Sequence, residues 1–245
     1  MKDKVKQGGV KPPLCILGTA PSLVEAPFGD ETVEFWAVPG VFTHPEAKDA
    51  VDVLFELHPE RWWRQPPVME QLEEFGKPVY MQDAYPEIPN SLKFPREELR
   101  KKFMLDCMGQ NLYVTNTITW MILKAIYDGY MDISLYGVHM AHDTEYAYQR
   151  ASCAWAVGII HGYILQGLPY KISISEGSHI LRAEYEYGFD EPTKMMEYLQ
   201  GRVAGMTAGI TDAGSQITAL KERQLRTEGA ISEANHILGK MAGWR

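Results

Sequence analysis

The stretch Gly18-Thr19-Ala20-Pro21-Ser22-Leu23 directly follows the apolar run Leu14-Cys15-Ile16-Leu17. A Gly at the end of a buried strand lets the backbone approach a ligand, and the helix start behind it offers free amides and a positive dipole end to an anion. Ser22 stands where it either caps that helix or contacts a phosphate, with Thr19 and Pro21 completing the turn. The second Gly of a dinucleotide fingerprint and the Lys of a Walker loop are missing, so the stretch reads as a less specialised anion loop or as a tight turn alone.

Asn116-Thr117 opens a predicted helix, with Asn116 or Thr115 as its cap; such a pair either holds a ligand or does nothing beyond capping. A third group is the strand end Leu135-Tyr136-Gly137-Val138-His139-Met140, followed by His142-Asp143-Thr144-Glu145-Tyr146-Ala147-Tyr148-Gln149-Arg150. Histidine acts as a base near neutral pH, Tyr and Arg hold phosphate oxygens, and Glu145 either orients His142 or takes a sugar hydroxyl. Each residue also has a structural reading, His139 as a capped core residue and Tyr146 as the buried face of the next helix, but the density of the cluster points to a site. Glu56 and His58 alternate onto one side of another strand end and form a candidate acceptor cleft. No Asp-x-Asp occurs and the three cysteines, Cys15, Cys107 and Cys153, lack metal-ligand spacing, so no metal is expected. Trp62-Trp63 between Arg61 and Arg64 either stacks a base or packs one indole inward from an amphipathic helix.

These residues need a scaffold, and the apolar pattern supplies one. Strands are predicted at residues 14–17, 33–38, 51–57, 78–81, 133–136 and 171–175, with helices at 45–50, 69–75, 95–104, 117–127 and 146–165 between them. Strands alternating with helices argue for a mostly parallel sheet of Rossmann type, an α/β fold whose ligands sit at the carboxyl ends of the strands. The chain divides into residues 1–13, a flexible start; 14–189, a Rossmann-like nucleotide-binding domain; and 190–245, a helical tail.

Of 245 residues, 45% are apolar and 23% charged, which excludes wholesale disorder and a disulfide scaffold. No run of 18 apolar residues and no secretory leader occurs, so a soluble cytoplasmic protein with reduced thiols is expected, without membrane partners. The net charge is -8, and the tail holds as many bases as acids, so the excess belongs to the body. An acidic body repels a phosphate backbone, and general nucleic-acid binding is not expected.

In the tail, positions 196, 203, 210, 217, 224, 231 and 238 and positions 199, 206, 213, 220, 227, 234 and 241 hold one heptad register, broken only by Gln224 and Thr227. That spacing fits a coiled coil, and a homo-oligomer through residues 190–241 is expected. The alternatives are a helix folded back on its domain and a hairpin turning near Asp212-Ala213-Gly214-Ser215.

From about Leu14 to Leu181 the chain resembles the bacterial sialyltransferase-like superfamily of Rossmann folds, which includes pterin-pyrophosphokinase-like proteins, and it is most similar in appearance to phage-encoded members. The resemblance rests on residues 18–23, on Asn116-Thr117-Ile118, on Asp128-Gly129-Tyr130-Met131-Asp132-Ile133-Ser134-Leu135-Tyr136-Gly137-Val138-His139, and on Glu176-Gly177-Ser178-His179-Ile180-Leu181. It implies a glycosyltransferase-like protein that takes a nucleotide or nucleotide-activated sugar and passes the group to a hydroxyl acceptor, in a host cytoplasm if phage-encoded. Gly18, Thr19, Pro21 and Ser22 would hold phosphate or ribose, and Asn116 and Thr117 the base or phosphate. Gly137 would join the nucleotide site, Tyr146, Tyr148 and Arg150 would hold the departing phosphate, and His142, Glu145 and His139 would be the catalytic residues. Ala20 replaces a Gly of the family loop, Pro39 stands near an expected Asn and His139 replaces an Asp. Those departures favour the alternative of a non-catalytic nucleotide-binding or scaffold protein.

Overall fold

A strand buried on both faces must be apolar at successive positions, and Leu14-Cys15-Ile16-Leu17 meets that demand inside the sheet. A computed structural model of the chain describes residues 11–106, 114–140, 145–183, 186, 188, 189 and 192–242. Its strands are β1 (Leu14–Leu17), β2 (Glu34–Ala37), β3 (Val53–Glu56), β4 (Val79–Met81), β5 (Ser91–Lys93), β6 (Asp132–Tyr136) and β7 (Lys171–Ile174). They form one sheet in the order β5-β4-β3-β2-β1-β6-β7, with every neighbouring pair parallel. The helices are α1 (Pro45–Ala50), α2 (Glu60–Trp63), α3 (Val68–Glu74), α4 (Arg96–Lys102), α5 (Thr117–Tyr127), α6 (Glu145–Leu165) and α7 (Pro192–Ala242), with 3-10 helices at Pro21–Glu25 and Pro39–Thr43. The expected α/β, Rossmann-like fold is present.

Alternation along β1 builds two cores. Leu14 and Ile16 join Leu99 of α4 and the inner faces of α5 and α6, while Cys15 and Leu17 join Ala47 of α1, Trp63 of α2 and Leu72 of α3. α5 is buried around most of its circumference because it lies between the sheet and the neighbouring helices, so its sequence is apolar nearly all round. α6 presents the stripe Ser152, Cys153, Ala156, Val157 and Ile160 at helical spacing. Cys15 and Cys153 are buried free thiols, and burial, aided by the Asp132 and Asp30 charges, pushes Cys15 up to about 12.

The sequence pattern misses β5, a three-residue edge strand with two exposed positions and no apolar run. It also leaves open what Trp62-Trp63 does: within α2, Trp63 is buried and Trp62 exposed, so one indole packs inward.

By its contacts the chain separates into two compact units, Met1–Arg182 and Ala183–Arg245. In the second unit α7 is one continuous helix of 51 residues, and no hairpin forms at Asp212-Ala213-Gly214-Ser215. Among the described residues no helix is long and apolar enough to cross a membrane.

Candidate functional site at the carboxyl edge of the sheet

From β1 the chain works outward to β5, then returns through α4 and α5 to place β6 on the other side of β1. The loops leaving β1 and β6 therefore diverge to opposite faces, and in open α/β sheets ligands bind at such a reversal of strand order. Here the two loops touch. Gly18 N–H donates to the Tyr136 carbonyl and Ala20 N–H to the Gly137 carbonyl, both at 2.8 Å. A Cβ on Gly18 would lie 2.4 Å from the Gly137 oxygen, and one on Gly137 the same distance from the Gly18 oxygen. The two glycines thus serve a backbone-to-backbone approach between strand ends.

Ser22 is the pin of this junction. The cap position of the 3-10 helix is Ala20, without a side-chain cap, and Ser22 lies inside the helix with its hydroxyl turned inward, only 3% exposed. Gly137 N–H donates to Ser22 Oγ at 3.0 Å, and His139 Nε2 and Ser175 Oγ each lie 2.8 Å from it. A hydroxyl accepts two bonds and donates one, so these three partners use all of its capacity. Ser178 Oγ donates to the Val138 carbonyl at 2.6 Å and His179 N–H to the His139 carbonyl at 2.7 Å, tying the turn after β7 to the same point. His179 Nδ1 is buried there without a hydrogen-bond partner. What this loop presents at the surface is Thr19 and Pro21, both exposed, with the Thr19 methyl packed against Gly40.

Burial, and next the nearby His179 charge, lower the His139 pKa against an opposing pull from Glu25. A neutral imidazole is therefore part of the folded state: its stabilisation is present above the unfolded histidine value, about 6.5, and is lost as pH falls through the lower folded value. The melting temperature should fall between pH 7.5 and pH 5, and His139→Gln, whose amide keeps a partner for Ser22 without titrating, should flatten part of that fall. A variant that melts with the wild-type pH profile would remove His139 from this role.

Asn116 and Arg150 are spent on structure. Asn116 Oδ1 accepts from Thr119 N–H at 2.8 Å as the α5 cap, while its amide donates to the Gln149 carbonyl at 3.1 Å, joining α5 to α6. Arg150 donates from Nε to the Ile180 carbonyl and from its terminal nitrogen to the Arg182 carbonyl. Tyr148 is 73% exposed and Thr117 half-buried. Glu145 and Tyr146 open α6. His142 lies outside the described residues.

At the end of β3, buried Glu56 accepts at Oε1 from His58 N–H at 2.8 Å and pairs with His58 Nδ1 at 2.6 Å. His58 Nδ1 thus lies against a carboxylate, on a side chain 61% exposed; in the neutral tautomer that carries its proton on Nδ1, Nε2 is the basic nitrogen. Such a pair accepts a proton from a hydroxyl.

On the other face of that strand end opens a cavity of about 350 Å³, lined by Leu57, Gln82, Phe94, Arg96 and Trp120. Phe94 and Trp120 meet edge to face at 5.5 Å, and Gln82 donates to the Leu57 carbonyl at 2.9 Å. Two aromatic walls, an amide and a guanidinium suit a ring compound with an anionic group. The sequence reading missed this cavity because its residues come from three strand ends and two helices.

Together these features define an α/β protein of the Rossmann-like class, with its candidate site along the carboxyl edge. No protein-family model and no curated protein matches the chain. Among solved structures, the sialyltransferase CstII from Campylobacter jejuni, in complex with the substrate analogue CMP-3FNeuAc, is similar with a TM-score of 0.43 at 12% identity, over 66% of this chain and 81% of that one.

Proposed function

We propose that the chain binds a nucleotide or nucleotide-activated sugar at the carboxyl edge of its sheet and transfers the activated group to a hydroxyl acceptor. The observation that carries this reading is the reversal of strand order between β1 and β6, where two glycine-ended loops meet. In this proposal the exposed Thr19 hydroxyl, held by the Gly18–Ala20 turn, contacts phosphate or ribose, and Thr117 contributes a second hydroxyl. Ser22 and His139 position the loops, and Asn116, Gly137 and Arg150 hold the elements around them. Tyr148 of α6 takes part, together with His142, Glu145 and Tyr146, which precede it in the sequence, with His142 or Glu145 as base. The His58–Glu56 pair serves an acceptor on the other side. The tail from residue 190 is a separate helical appendage.

A second reading, a binding or scaffold protein without catalysis, draws on one observation: the polar groups of Ser22, Asn116 and Arg150 are already engaged within the fold. One series of measurements separates the two. A panel of nucleoside phosphates and nucleotide sugars is screened by thermal shift; a ligand at 100 times its dissociation constant adds about 2.7 kcal/mol, or roughly 5–10 °C. Thr19→Val keeps the methyl against Gly40 and removes only the hydroxyl, and should weaken the hit by about 10-fold, the worth of one hydrogen bond to a charged group. No shift with any compound sinks the transfer reading and leaves only the scaffold; a shift that Thr19→Val leaves alone moves the site elsewhere on the edge. Slow hydrolysis of the bound donor, lost in the His58→Ala or His142→Ala chain, favours transfer, and its absence favours the scaffold.

A further inference from the structure

The described side chains of α7 are exposed along the whole helix, about 77 Å at 1.5 Å per residue. Its large apolar residues are concentrated on one seam, positions a (196, 203, 210, 217, 224, 231, 238) and d (199, 206, 213, 220, 227, 234, 241). A helix packed on a globular face needs only the 3.6 period of the helix itself; a strict seven-residue repeat over seven heptads drifts around a straight helix and stays on one side only if the helix supercoils about a partner. Water-exposed, such a stripe exceeds what a soluble surface carries.

We propose that α7 pairs with α7 of a second copy of this chain, as a parallel, in-register, two-stranded coiled coil. Self-pairing follows from the seam's one polar break. Gln224 at a and Thr227 at d occupy adjacent layers; Thr227 Oγ1 donates to the Arg223 carbonyl at 2.9 Å, and Gln224 Nε2 donates to Glu228 Oε1 at 2.8 Å, which leaves the Gln224 carbonyl and its second amide hydrogen for a partner across the seam. In register, Gln224 faces Gln224 of the partner subunit. A slip of one heptad sets it against Ile217 or Ile231 instead, an unmatched amide in an apolar layer.

Orientation follows from the flanking charges. In a parallel pair a g residue meets the e residue five positions on in the other helix, which sets Arg223 against Glu228 of the partner subunit. No such pairing along α7 joins like charges. Strand number follows from the layers: Val203, Ile210, Ile217 and Ile231 at a with Leu199 and Leu220 at d are the two-stranded pattern. The six glycines of the helix, at 201, 205, 209, 214, 229 and 239, all avoid a and d.

The test uses the full chain. In sedimentation the wild type should have the mass of two chains; Ile217→Asp should halve it while the melting of the Rossmann-like unit stays unchanged. Ala208→Asp, an equal insult on the outer f position, should leave the dimer intact. Leu199→Cys should cross-link through its own copy under oxidation where the wild type does not, because antiparallel helices would hold the two sites about 54 Å apart. A monomeric or trimeric wild type, an unchanged mass for Ile217→Asp, dissociation by Ala208→Asp, or no cross-link through position 199 overturns the proposal.

Discussion

Gly137→Ala should lower the melting temperature of the Rossmann-like unit by roughly 8–16 °C, while Gly129→Ala lowers it by only a few degrees. Both glycines lie in the left-handed region, Gly137 at φ +68° and Gly129 at φ +85°, so each Ala incurs the same conformational penalty, about 1–2 kcal/mol. They differ in what the new Cβ meets. Around Gly129 there is open space, whereas at Gly137 the Cβ would lie 2.4 Å from the Gly18 oxygen and 2.7 Å from its carbon. Relieving that contact means separating the ends of β1 and β6 and stretching the Ser22 bond to Gly137 N–H, which adds about 2–3 kcal/mol in the manner of an overpacked core. The total, about 4 kcal/mol, converts at roughly 2–4 °C per kcal/mol for a unit of this size. Equal melting of the two variants would show that the loops relax freely. Gly18→Val meets the same wall from the other side, so it tests the fold and is unsuitable as a binding-only substitution.

What the sequence disclosed about this junction, and what it withheld, has a physical pattern. The run from Leu14 to Leu17 announces a strand buried on both faces because no exposed strand tolerates four apolar residues in succession. That Gly18 ends it and Gly137 ends β6 is equally legible. That the glycines serve each other is not, because their contact spans more than a hundred residues and depends on β6 returning beside β1. Asn116 could be read as a cap from its place before an apolar helix, but its second bond, to the Gln149 carbonyl, required the packing of α5 on α6. The cavity was illegible for a related reason: Arg96 and Phe94 follow β5, whose three residues carry no strand signal, and without that edge strand nothing places them beside Trp120. In α7 the relation reverses. There the partner surface is periodic along one helix, and a local repeat displays what tertiary contacts hide elsewhere.

The position of α5, and with it that of Asn116, Thr117 and Trp120, depends on an anchor at the opposite edge of the sheet. Lys124 is only 5% exposed, and a buried position in the last turn of an apolar helix is a costly place for an ammonium. Its charge is met by Asp128 one turn on, and by the ring faces of Tyr80 at 4.8 Å and Trp36 at 5.9 Å. Trp36 in turn donates to Glu34 at 2.8 Å, whose other oxygen accepts from Tyr130 at 2.7 Å; burial first, then the Glu34 charge, pushes the Tyr130 phenol up, so it remains a donor. Removing one partner of a buried pair costs about 3–5 kcal/mol when the charge left behind stays buried, and less when that charge can reach water. Asp128→Ala should therefore cost about 3 kcal/mol, the low end because the two rings remain, and lower the melting temperature by roughly 6–12 °C. Lys124→Met should cost less than half as much, and the double variant should melt near Lys124→Met rather than at the sum of the two losses, since Asp128, 22% exposed at its side chain, can be solvated once the ammonium is gone. Additive losses in the double variant would mean that the pair is uncoupled and that the rings alone hold Lys124 in place.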